Sequence, residues 1–290
     1  MKPPPFDYAA PDTVDEAVSL LKQHGDEAKL LAGGQSLVPL MALRLARPSV
    51  VVDLGRVAEL RYVRHGDDVV RIGAMTTHRD IELDAALQDR SPMIREAMSV
   101  LGHVAIRNRG TVGGSCAHSD PAAEWPALAL ALDAEFEASG PGGRRTIAAT
   151  DFFQSYFTTA LEPEEVLTEI RFPLPERGAG SAFEEFSRRH GDFGIVGSAA
   201  VVHRSGGVIS DARVALVGVG GTPVRSEAAA MMIGSDGGDD VLDAIGVALQ
   251  DEIDPTGDIH GSSEFRRHCA ALIMKRAMRL AVDRAEDGGR

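Results

Sequence analysis

The stretch HVAIRNRGTVGGSCAHSDPAAEWPALALALDA, residues 103–134, decides how this chain is read. Its first part, 103–119, has neither helical nor strand periodicity and carries Gly110, Gly113 and Gly114. That predicts a long loop, and loops of such length inside a compact domain are uncommon and usually functional. Asp120-Pro121 then predicts the start of a helix, with Asp120 as N-cap and Pro121 at its first position. The turn Thr111-Val112-Gly113-Gly114-Ser115 has a counterpart upstream, Ala32-Gly33-Gly34-Gln35-Ser36. Each joins two glycines to a small hydroxyl residue. Without Cβ atoms the backbone can curl until successive N–H groups face one concavity, and the hydroxyl can add a hydrogen bond to a phosphate oxygen. Two ordinary tight turns would read the same way. The pattern alone leaves both readings open.

Outward from these turns the elements follow from periodicity. KLLAGGQSLVPLMALRLA (29–46) predicts a short strand, the Gly33-Gly34 turn, then a helix with Leu37, Leu40, Met41 and Leu45 on one face. SVVVDL (49–54) and DVVRIGAM (68–75) predict strands. Thr76 and Thr77 predict the cap of a helix through the mid-80s, and Ser91-Pro92 opens another that ends near Gly102. AEFEAS and RRTIAA flank Gly140-Pro141-Gly142-Gly143 as a hairpin, and EVLTEIRFPLP (165–175) is a further strand. The small, flexible run ERGAGSA (176–182) predicts a domain boundary. Beyond it SAFEEFSRR, AAVVHRS and DARVALVGVG predict three antiparallel strands. Helices then follow at SEAAAMMIG, at DDVLDAIGVALQ and from Ser263 to about Ala285.

Composition narrows the function. The chain has 290 residues, enough for about two domains. Its 43 acidic against 30 basic residues leave a net charge of −13, which makes the chain a poor candidate for wrapping a phosphodiester backbone. A nucleotide held by backbone N–H groups remains compatible with that charge. Two cysteines, Cys116 and Cys269, are too few for a Cys-ligated iron–sulfur cluster or a disulfide framework in this chain. The N-terminal residues show no apolar signal and no stretch is long enough to span a membrane, so a cytoplasmic location is expected.

Other motifs are weaker. No Gly-Lys pair and no G-x-G-x-x-G after a strand occur, so a Walker A loop and a Rossmann fingerprint are absent. GGSCA (113–117) lacks the second glycine of a nucleophile elbow around Ser115. The nine histidines show no metal-binding spacing, and His103 and His118 read as loop histidines. Cys116 reads as a small buried thiol. Arg188-Arg189-His190 before Gly191-Asp192-Phe193 is a charged strand end whose Phe193 can pack on a flat ligand.

Together AGGQS (32–36), IRNRGTVGGS (106–115), HSDPAAEWPALALAL (118–132), SRRHGDFGIVG (187–197) and GSSEFRRHCAALIMKRA (261–277) give a resemblance that spans nearly the whole chain. It resembles the FAD-binding medium subunit of molybdenum hydroxylases, the carbon-monoxide, xanthine, nicotine and caffeine dehydrogenase group. The resemblance implies an α+β fold. Residues 1–177 would form an FAD-binding domain of the vanillyl-alcohol-oxidase and p-cresol-methylhydroxylase type, in two subdomains of about 1–57 and 58–177. Residues 178–290 would form a C-terminal domain with a three-stranded antiparallel sheet and helices. It also implies a large molybdopterin subunit and a small subunit with two [2Fe–2S] clusters, assembled as a dimer of heterotrimers. Electrons would pass from those clusters to FAD in this chain and on to an external acceptor.

On the matching positions, the resemblance implies that Ala32, Gly33, Gly34, Gln35 and Ser36, with Thr111, Val112, Gly113, Gly114 and Ser115, cradle the FAD pyrophosphate. Leu101 would lie close to the flavin. Glu124, with Asp120 nearby, would bind ribityl or ribose hydroxyls. Leu167 would contact the adenine side or the ring edge, and Phe193 would cover one isoalloxazine face. Glu184-Glu185 departs from relatives that carry Lys there. No catalytic residue and no metal ligand is expected in this chain. A stand-alone FAD oxidase of the same superfamily is the competing reading, and it calls for a larger substrate domain than the residues after the boundary supply.

Overall fold

The computed structural model describes residues 2–286. Strand β1 (Asp7–Ala9) leads through helix α1 (Val14–His24), capped by Thr13, to β2 (Ala28–Leu31), helix α2 (Leu37–Ala42) and β3 (Val50–Asp53). The three strands form a parallel sheet in the order β1-β3-β2. Val14, Leu21, Val50 and Val52 form its core with Leu54 and Leu60. The expected helical face of 37–45 is shorter than its apolar spacing suggests. Arg44 takes a left-handed φ of 60°, and the amides of Leu45 and Ala46 turn back to the Leu40 carbonyl. That ends α2 at Ala42 and leaves Leu45 exposed.

The second layer runs through β4 (Val63–His65), β5 (Val69–Gly73), α3 (His78–Leu83), α4 (Ala85–Arg90) and α5 (Pro92–Val100). Thr77 and Asp80 form a capping box for α3, and Ser91 caps α5 with Pro92 at its start. Next come α6 (Val104–Arg107), α7 (Val112–His118) and α8 (Glu124–Ala131). The segment 103–119 is therefore largely two short helices rather than a loop: the Thr111 hydroxyl caps the second, and Gly113 lets it lie against Ala74. The helix expected at Asp120 begins four residues later. Asp120 Oδ1 accepts from the Ala122 amide at 2.9 Å, and this local turn occupies 120–123. The hairpin β6 (Glu135–Gly140) and β7 (Gly143–Ala148) is as expected. A short helix α9 (Ala149–Phe152), the pair β8 (Phe153–Ser155) and β9 (Thr158–Thr159), and β10 (Val166–Pro173) complete this layer. The sheet order is β4-β5-β10-β6-β7, antiparallel throughout.

Strands β11 (Gly180–Phe186), β12 (Val196–Ser205) and β13 (Val208–Val217) are the three expected, and a two-residue β14 (Val224–Arg225) adds a fourth to their antiparallel sheet. The segment expected as a helix at 226–234 is a 3-10 helix, Glu227–Met232. Helices α10 (Asp239–Ala248) and α11 (Ser263–Arg284) follow, and α11 packs on β11 and β12. Every residue of α8 is buried, and the helix packs against α5, α7, β12 and β13. Its Trp125 meets Phe172 of β10 at 5.5 Å. Helix α8 is thus the wedge that joins the two larger sheets. No helix among the described residues is long and apolar enough to cross a membrane.

Candidate functional site

A cavity of about 640 Å³ opens where the two Gly-Gly turns meet, within the size range of cofactor sites. It is lined by Ala32, Gly33, Gly34, Gln35 and Ser36, by Thr111, Gly113, Gly114 and Ser115, and by Leu101, Asp120, Glu124, Leu167 and Phe193. Of the residues expected from sequence to bind the cofactor, Val112 alone stays away from it. Its side chain is fully buried in the core and its amide donates to the Thr76 carbonyl at 3.0 Å.

The two turns do different work. At 33–36 the four amides donate to nothing among the described residues, and Gly34 has a left-handed φ of 73°. Four open N–H groups at the mouth of a cavity are a ready anion cradle. Gly33 must be glycine for another reason. A Cβ there would lie 2.7 Å from the Gly110 Cα and overlap the Arg109 carbonyl.

At 112–115 the amides are already spent. Gly113 donates to the Ala74 carbonyl at 3.0 Å, Gly114 to the Thr111 hydroxyl at 3.0 Å and Ser115 to the Thr111 carbonyl at 3.0 Å. The expected second nest of amides is therefore not formed. A Cβ on Gly113 would meet the Ala74 Cβ at 2.5 Å, and one on Gly114 would meet the Thr111 Oγ1 at 2.7 Å. These glycines let α7 dock against Ala74 and Ala32. A ligand is left with the Thr111 amide and the Ser115 hydroxyl, which bond nothing among the described residues.

Arg107 fixes the opposite corner. It is 6% exposed, donates to the carbonyls of Leu101 (3.0 Å) and Gly102 (2.8 Å), and pairs with Glu82 through Nε and Nη2 at 3.0 and 3.1 Å. The Glu82 carboxyl is held below its ordinary range by that guanidinium. Gly191, with φ 86°, accommodates the His103 ring where a Cβ would overlap it, and His190 Nε2 lies 2.9 Å from the Ser99 carbonyl. These contacts bring the 188–193 segment, with Phe193 62% exposed, to the rim beside Leu101.

The acidic side is unusual. Burial pushes the Glu124 carboxyl up to about 8, with Glu185 and Asp120 adding to the shift. Burial likewise raises Glu185 to about 7, and both of its oxygens are enclosed without a partner. Glu184 instead pairs with Arg276 at 3.0 Å. At neutral pH Glu124 is a protonated carboxyl at the cavity wall, able to donate to one hydroxyl and accept from another.

Sequence reasoning missed several lining residues. Lys29 is the one lysine there, and a lone cation in an apolar strand entering a Gly-Gly turn was a usable signal. Phe157, whose φ is 53°, packs against His118 with ring centroids 5.0 Å apart and the planes tilted by 35°. It comes from the β8–β9 turn and had no local signal. Cys116 is fully buried, and burial raises its thiol well above the ordinary range, so it is no nucleophile. Among the described residues no three His, Cys, Asp or Glu side chains converge as metal ligands would.

The fit to a dinucleotide is chemical as well as spatial. Open amides and Lys29 suit a pyrophosphate, a neutral carboxyl suits hydroxyls, and Leu101, Leu167 and Phe193 suit flat rings. Comparison with known proteins agrees. Residues 4–175 match the model of the FAD binding domain in molybdopterin dehydrogenase, and residues 181–281 that of the CO dehydrogenase flavoprotein C-terminal domain. The chain is 41% identical to the 6-hydroxypseudooxynicotine dehydrogenase complex subunit alpha of Paenarthrobacter nicotinovorans, over 98% of this chain and 97% of that one. Among solved structures, a chain of the carbon monoxide dehydrogenase of Hydrogenophaga pseudoflava superposes with a TM-score of 0.96 at 41% identity, covering 99% of this chain and 100% of that one. A chain of the quinoline 2-oxidoreductase of Pseudomonas putida 86 gives 0.93 at 35%, covering 98% and 99%.

Proposed function

The chain belongs to the family of FAD-binding subunits of molybdopterin dehydrogenases, and from that premise we propose that it is the electron-transfer subunit of a molybdenum hydroxylase. Substrate oxidation would belong to a large molybdopterin subunit, and this chain would receive the electrons by way of a small subunit holding two [2Fe–2S] clusters. The three chains form a heterotrimer, doubled by symmetry, in the cytoplasm. In this reading residues 1–57 and 58–177 are the two parts of the FAD domain and 178–290 the C-terminal domain. Bound FAD supplies a two-electron carrier that passes electrons to an external acceptor.

This chain's residues bind and orient. The amides of Gly33, Gly34, Gln35 and Ser36 hold the pyrophosphate, helped by the Thr111 amide and the Ser115 hydroxyl. Ala32, Gly113 and Gly114 let the two turns close to that spacing, and Val112 anchors the second turn in the core. Asp120 and the protonated Glu124 take hydroxyls of the sugar or ribityl chain. Leu101 and Leu167 bound the ring region, and Phe193 covers an isoalloxazine face at the rim. The observation that carries this reading is the row of four unpaired amides at 33–36 inside a cavity of cofactor size.

The test is to load the purified chain with FAD and assay a dye acceptor with N-heterocycles, purines, aldehydes and carbon monoxide. A yellow chain with no turnover until the partner subunits are added supports the proposal. Turnover by the chain alone at the rate of the assembled enzyme would favour a self-sufficient flavin oxidase.

A further inference from the structure

His78 opens α3, and its ring lies at the floor of the cavity, 4% exposed. The Trp125 indole Nε1 stands 3.1 Å from His78 Nδ1, and the two rings are nearly parallel with centroids 6.2 Å apart. An indole N–H can only donate, so Nδ1 must accept with its lone pair. The single proton of the neutral imidazole therefore sits on Nε2. Burial and the nearby Arg107 cation keep the ring neutral, with its pKa lowered to about 3. Nε2 has no acceptor among the described residues, yet it is not sealed in the protein as Ser119 Oγ and the Glu185 oxygens are. Gly110 lies against this edge of the ring. A Cβ there would sit 3.0 Å from Nε2 and 2.8 Å from Cδ2. The His78 backbone amide donates to the Gly110 carbonyl at 2.9 Å, which fixes the ring beside Thr111 and the Gly33 turn.

We propose that His78 is a binding residue that presents Nε2–H to an acceptor oxygen of the dinucleotide pyrophosphate, with Trp125 as the positioning residue that fixes its tautomer. The proposal rests on the reading that FAD occupies this cavity. It follows from three linked facts: the indole fixes where the proton is, the missing Cβ of Gly110 keeps a side chain off that edge of the ring, and the protein offers the proton no partner. An N–H that the protein leaves without a partner but open to the cavity can pass its hydrogen bond to a ligand oxygen, with no competing protein acceptor to displace.

The experiment uses the full chain, freed of flavin and labelled with ¹⁵N-histidine. Before FAD is added, the imidazole in contact with the Trp125 indole proton should show a protonated Nε2 and an unprotonated Nδ1 from pH 5 to pH 8. Adding FAD should move that Nε2–H resonance downfield. His78→Phe keeps a ring but loses the donor, and should bind FAD about 10- to 100-fold more weakly. Trp125→Phe frees Nδ1, so both tautomers should appear and the affinity should fall by less. If the wild-type chain binds FAD and the Nε2–H resonance does not move, His78 is a structural histidine and the proposal is overturned. A chain that binds no FAD at all overturns the underlying reading instead. The wild-type spectrum decides even where His78→Phe does not fold.

Discussion

Gly33 and Gly110 stand so close that a Cβ on Gly33 would lie 2.7 Å from the Gly110 Cα, which makes the first turn and the α6–α7 junction one packed unit. Gly33→Ala must therefore move backbone, not a flexible side chain. It should cost about 1–3 kcal/mol and lower flavin occupancy together with stability. Thermal melts and the flavin-to-protein absorbance ratio check this. A variant that keeps both at wild-type level would show that the two turns are independent.

Arg107 holds the Leu101–Gly102 corner from inside. Arg107→Met would strip the Leu101 and Gly102 carbonyls of their donor and leave Glu82 with Arg79 alone, at a cost of about 1–3 kcal/mol. Arg107→Lys should recover only a minor part, since an ammonium cannot reproduce the guanidinium fork. Urea midpoints of the three proteins read this directly. Equal stability of the Lys variant and wild type would contradict it.

The buried carboxyls make stability depend on pH with a definite sign. Glu124 and Glu185 have folded pKa values, about 8 and about 7, above the unfolded value near 4.3. Their contribution is fully present below that unfolded value and is lost as the pH rises through 7 and 8. The flavin-free chain should therefore weaken between pH 5 and pH 8.5, by at most ~1.4 kcal/mol per pH unit for each proton. Glu124→Gln should flatten the profile and be the more stable protein at pH 8.5. Denaturant midpoints across that range test it, and an unchanged slope would remove Glu124 from the account.

The longer strands were legible from residue type alone, whereas β1, β4, β8, β9 and β14, each two or three residues long, gave no such run. VVVD and VVRIG are runs that only a sheet interior accommodates well, and Gly140 to Gly143 marks its hairpin. Helix α7 was hidden because two of its seven residues are glycines, the poorest helix formers after proline. Its start is capped by the Thr111 hydroxyl, and its glycines answer to Ala74, just past β5, a contact that no local pattern records. The same holds within the site. Glycine pairs advertised both turns, but only the hydrogen-bond pattern separates the open amides of 33–36 from the spent ones of 112–115. Glu124 was visible as an acid beside Asp120. Its raised pKa comes first from burial in a helix without a polar face, and then from Glu185, distant in sequence on β11.

Flavin should be held without a covalent bond. Cys116 is fully enclosed and its thiol is kept protonated by burial, so it cannot attack a flavin methyl position as a thiolate. Acid precipitation of the purified chain should release the yellow chromophore into the supernatant. Colour retained in the pellet would point to a covalent link and to His118, the partly buried histidine in the cavity wall.

The central claim is that the cavity between the two Gly-Gly turns is the FAD site, and a crystal structure of the chain with FAD bound tests it most directly. The account predicts the pyrophosphate within hydrogen-bond distance of the amides of Gly33, Gly34, Gln35 and Ser36, with the isoalloxazine ring at the Leu101 and Phe193 rim. FAD bound elsewhere on the chain, with those four amides facing only water, would contradict it.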